Sequence, residues 1–103
     1  MKVIKILSKR IEDEIADAKT YAEMAIEYKT DYPELSQTLY NISLQEMEHM
    51  KLLHDAVAKI ISKYRETKGE PPADMMAVYE YLHKEQISKA LEAKTMQTMY
   101  KEG

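Results

Sequence analysis

No cysteine occurs in the 103 residues of this chain. That excludes a disulfide framework, a thiolate zinc site and an iron centre held by thiolates, and it is compatible with a reducing cytosol. Tryptophan and phenylalanine are also missing, so a core has to be built from Ile, Leu, Ala, Met and Tyr. Glycine (2) and proline (3) are too scarce to punctuate a sheet of short strands, and long helices are favoured. No run approaches the ~20 apolar residues of a membrane span. The apolar run in Met1-Lys2-Val3-Ile4-Lys5-Ile6-Leu7 is too short for a signal peptide, and Lys9, Arg10 and Glu12 follow at once. The charge excess is only −3 and gives no argument for nucleic acid binding. The expectation is a cytoplasmic chain with neither nucleic acid nor membrane as partner.

What is present is charge and periodicity. Charged residues make up 32% and hydrophobic ones 45%, and the length suits a single domain over 1–103 with one core. Eight Met and eight Tyr make that core adaptable and give it polar tips that need partners. Three periodic stretches predict an all-α, antiparallel bundle of three long helices near 2–29, 33–67 and 73–100. The breakers are Thr30-Asp31-Tyr32-Pro33 and Gly69-Glu70-Pro71-Pro72. In the first helix the apolar line is Ile4, Leu7, Ile11, Glu14, Ala18, Tyr21, Ala25, Tyr28. In the second it is Leu35, Leu39, Ile42, Glu46, His49, Leu53, Ala56, Ile60, with steps that alternate four and three. The third is weaker: Met76, Tyr79, His83, Gln86 or Ile87, Ala90, Ala93 or Lys94, then Met96 to Tyr100.

Three residues interrupt the first two lines: Glu14, Glu46 and His49. Burying an unpaired carboxylate costs several kcal/mol, so each should have a partner or a metal. Glu46-Met47-Glu48-His49 puts a carboxylate and an imidazole one turn apart on one face. Counting ~1.5 Å per residue from a turn at Tyr32 places Glu14 about 27 Å, His49 about 25 Å and Glu46 about 21 Å along the hairpin. The three therefore stand at one height on facing stripes. Two carboxylates and an imidazole suit a hard or borderline divalent ion such as iron, manganese or zinc. The bland reading is a buried Glu–His pair that satisfies itself. Glu48 points away and His54 lies off the line, while Tyr21 and Tyr28 read as core.

Glu14 with Tyr21 seven residues on, followed by Glu46-Met47-Glu48-His49, resembles the first hairpin of the rubrerythrin and ferritin-like di-iron proteins. The likeness covers roughly Ser8 to Asp55. It implies a ferritin-like bundle with iron ligands from Glu14, Glu46 and His49, and chemistry with oxygen or peroxide, or ferrous iron oxidation and storage. The family's pattern has four helices and a second Glu-x-x-His, whereas one helix follows here. Glu80-Tyr81-Leu82-His83 imitates the second motif and makes His83 a fourth candidate ligand, but counting residues places it about 10 Å from His49 along the axis. A rubredoxin centre is impossible without cysteine.

Two functions follow. One is a metal-binding, di-iron protein with ferroxidase or oxygen- or peroxide-linked oxidoreductase activity. Its half-set of ligands is completed by a second chain in a homodimer or larger homo-oligomer, as in truncated ferritins housed in encapsulin shells. The other is a non-catalytic structural or adaptor protein on a ferritin-like scaffold. A plain coiled-coil module is disfavoured, because Glu14, Glu46 and His49 make a costly zipper core.

Overall fold

The computed structural model describes residues 1–103 and contains helices and no strands. Helix α1 spans Lys2–Glu27, α2 Pro33–Lys68 and α3 Ala73–Glu102. Each end lies within two residues of the expected one. α1 closes when the Tyr28 amide donates to the Met24 carbonyl at 3.0 Å, and the Tyr28 and Tyr32 rings then meet edge to face at 6.0 Å across the turn. Pro33 opens α2, with Glu34 in its first turn, where a negative charge faces the helix dipole favourably. Gly69 ends α2 at φ 84°, a left-handed conformation open to glycine without strain, and Pro71 and Pro72 bar continuation. No helix is long and apolar enough to cross a membrane.

The bundle is a thin rod of 56 × 19 × 18 Å in which α1 is the central element. It packs along both neighbours, whereas α2 and α3 meet only sparsely. Along α2, Ser36 Oγ donates to the Ala25 carbonyl and Ser43 Oγ to the Ala18 carbonyl at 2.5 Å. Further on, Val57 and Ile61 join Ile4, Ile11 and Ile15. Along α3, Gln86 Nε2 donates to Ser8 Oγ at 2.9 Å, Ala93 packs with Ala18 and Met47, and the Tyr100 carbonyl accepts from Lys29 Nζ at 2.5 Å. α2 therefore meets α1 in descending order and α3 meets it in ascending order.

The expected apolar lines need correction. On α1, Ile4, Ile11, Ala18 and Ala25 are buried as expected, but so are Ser8, Ile15 and Ala22. A helix with a neighbour on each side buries a wider stripe than one line. On α2 only Leu39 of the expected line is buried. The buried line is Ser36, Leu39, Ser43, Met47, Val57 and Ile61, about 100° around the helix from the expected one. Leu35 is 46% exposed, while Ile42, Leu53, Ala56 and Ile60 are half-buried at the edge of the core. The two serines account for the shift. Each hydroxyl is satisfied by an α1 carbonyl, and the small side chains facing Ala18 and Ala25 let the backbones approach closely. On α3, Gln86 and Ala93 are buried, whereas Ile87 and Lys94 are exposed.

Candidate metal centre

Met47 fixes the orientation of the motif. It packs into the core beside Ala18, so Glu46 and His49 emerge together on one flank of α2. Glu14 stands between Ile11 and Ala18, roughly one turn from each, and meets them from α1. One ligand atom from each of Glu14, Glu46 and His49 lies within 4.8 Å of the other two. Glu14 and Glu46 are half-buried and His49 is exposed. Nδ1 of His49 stands 3.4 Å from Oε2 of Glu14, with the imidazole side chain 55% exposed and the carboxylate 25%.

Oε2 of Glu14 is buried and has no hydrogen-bond partner. The imidazole contact is an ion-pair distance, too long for a good hydrogen bond. A buried carboxylate oxygen in that position calls for a proton or a cation. The proton comes from Glu46, whose pKa is raised to about 7. The largest cause is a side-chain hydrogen bond with Glu14. Burial and the negative charges of Glu14 and Asp17 add to it, and His49 opposes it. With Glu46 protonated, the acid donates to Glu14. With both ionised, no proton stands between the two carboxylates.

Two carboxylates and an imidazole are a donor set of the kind that suits a divalent ion. Carboxylate and imidazole ligands bind at ~2.0–2.2 Å, so two ligands of one ion stand at most about 4.3 Å apart. The three ligand atoms lie within 4.8 Å of one another, about 0.5 Å beyond that span, so the group would tighten on taking up an ion. Three protein ligands on an accessible flank leave the remaining positions of the ion to water or to another chain.

His83 lies outside this group. α3 passes Ala18 and Met47 with Ala93, roughly three turns beyond His83. His83 instead stacks on His54, with ring centroids 4.7 Å apart, and Glu80 is exposed. One participant was not singled out in the sequence. Asp17, exposed one turn after Glu14, adds its charge to Glu46. Its spacing from Glu14 was the available signal. Compared with known protein families, with curated proteins and with solved structures, the chain matches none.

Proposed function

We propose that this chain is a ferritin-like metal-binding protein. In this reading α1 and α2 form an antiparallel hairpin that presents Glu14, Glu46 and His49 to divalent iron in a cytoplasmic setting, with manganese or zinc as weaker alternatives. The observation that carries the reading is the convergence of the three side chains around a buried, unpartnered Glu14 oxygen. Bound iron would supply electron transfer to oxygen or peroxide. The chain's own residues bind ferrous iron as substrate, give up the Glu46 proton as it enters, and stabilise the ferric product with two carboxylates.

A second copy completes the site. One chain offers two carboxylates and one imidazole, and a ferritin-like di-metal centre takes four and two. A two-fold axis beside the group supplies the difference. The half-buried Leu7, Tyr21, Ile42, Leu53 and Ile60 give such a pairing apolar surface to cover.

A non-catalytic structural or adaptor role is favoured by the same proton that the metal would displace. A Glu46 acid hydrogen-bonded to Glu14 satisfies the pair without an ion, and His49 is left exposed. Stopped-flow oxidation of ferrous iron separates the two. The parent is expected to show a fast phase that Glu46→Ala abolishes with helicity unchanged. Equal rates in both proteins would reject the enzymatic reading.

A further inference from the structure

His54 on α2 and His83 on α3 are both half-buried, and their rings stack at 4.7 Å with 11° between planes. Tyr79, about one turn before His83, continues the stack at 6.0 Å and 13°. The stack crosses the thinnest boundary of the bundle, since α2 and α3 otherwise meet little. Toward the C-terminal end of α3 that boundary is tied by Gln97 Nε2 donating to Ser43 Oγ at 2.9 Å, by the Tyr40 and Tyr100 rings at 4.5 Å, and by Tyr100 OH donating to Gln37 Oε1 at 3.1 Å. None of those groups changes charge near neutrality. Over the N-terminal half of α3, two imidazoles stand where those ties would be.

We propose that the stack of His83 on His54 forms a proton-operated latch that holds the N-terminal half of α3 against α2 while His83 is neutral and releases it when His83 gains a proton. The groove beneath them, about 290 Å³, is floored from α1 by Ile11 and Ile15, which carry no charge. From α2 it is lined by Lys51 and Asp55, and from α3 by Lys94. Glu80, exposed one turn before His83, adds a second carboxylate, so Lys51 and Lys94 stand against Asp55 and Glu80 and the surroundings offer a gained proton no net negative charge. Burial first, and the charge of His54 second, lower the pKa of His83 from its ordinary value. The folded chain thus resists a proton that the unfolded chain accepts. The latch is fully closed above the ordinary imidazole value of about 6.5 and is lost as pH falls from there through the depressed value. Two like charges across a stack are relieved most cheaply by separating the rings. α3 stays fastened to α1 by Gln86, which donates to the Ser8 hydroxyl and carbonyl, and by Met76 and Tyr79 packed on the core, so the movement is a widening of the α2–α3 groove about that contact.

Because the chain has no cysteine, two spin labels attach without competition. Labels at Ala58→Cys and Lys84→Cys, both exposed, report the α2–α3 separation. Between about pH 7.5 and about pH 5 the distance should lengthen in the labelled parent. In His54→Phe and in His83→Phe, which keep a ring but cannot titrate, it should hold its neutral-pH value. No lengthening in the parent, or the same lengthening in both variants, would overturn the latch. Should a phenylalanine variant not fold, the imidazole proton resonances decide. His83 should titrate below its ordinary value in the parent and closer to it in His54→Gln, and an ordinary value in the parent overturns the proposal.

Discussion

Glu46 retains its proton close to neutrality because Glu14 accepts a hydrogen bond from it in a half-buried place. The sign of the consequence follows. Between the ordinary value of 4.5 and about 7 the folded chain binds this proton more tightly than the unfolded chain does. The contribution to stability is full below the lower value and is lost as pH rises through the upper one. Glu46→Gln, which still donates to Glu14 but cannot ionise, should remove that fall, as read from urea midpoints on both sides of the window. In the proposed function a divalent ion would take the place of the proton, so metal binding near pH 6 should release protons. Calorimetry in buffers of different ionisation enthalpy measures the number. No release would mean that the ion binds elsewhere.

The α1–α2 contact is built on serine as much as on hydrocarbon. Ser43 donates to the Ala18 carbonyl and accepts from Gln97, tying three helices at one point, while Ser36 makes a single bond to the Ala25 carbonyl. Both are wholly buried. Ser36→Ala should therefore cost about 1 kcal/mol, and Ser43→Ala about 1–3 kcal/mol because it strands the buried Gln97 amide. Chemical denaturation checks the order, and equal costs would count against the three-helix tie. The same serines explain what the sequence hid. Helix number and ends were legible from unbroken periodicity and from the proline and glycine breakers. The buried line of α2 was not, because Ser36 and Ser43 read as surface until an α1 carbonyl satisfies them. The common height of Glu14, Glu46 and His49 was legible because both helices run without a break through it. The stacking of His83 on His54 depends on how α3 is rotated against its neighbours, which its weak apolar pattern leaves open.

At the scale of the molecule, α1 lies between two helices that scarcely touch, in a rod under 20 Å across on its short axes. Such a body has a small core and gains from an added partner surface. Leu7, Tyr21, Ile42, Leu53 and Ile60 are only half-buried in the single chain, and a second copy seated there would cover them and double the ligand set. The central claim is that Glu14, Glu46 and His49 bind a metal completed by a second chain. Native mass spectrometry, on protein purified without chelator and on protein reloaded anaerobically with ferrous iron, reads metal number and chain number together. The account predicts an iron-loaded species of two chains, with iron lost in Glu14→Ala and in Glu46→Ala. An iron-free monomer in both preparations at micromolar concentration, or undiminished iron in the two variants, would contradict it.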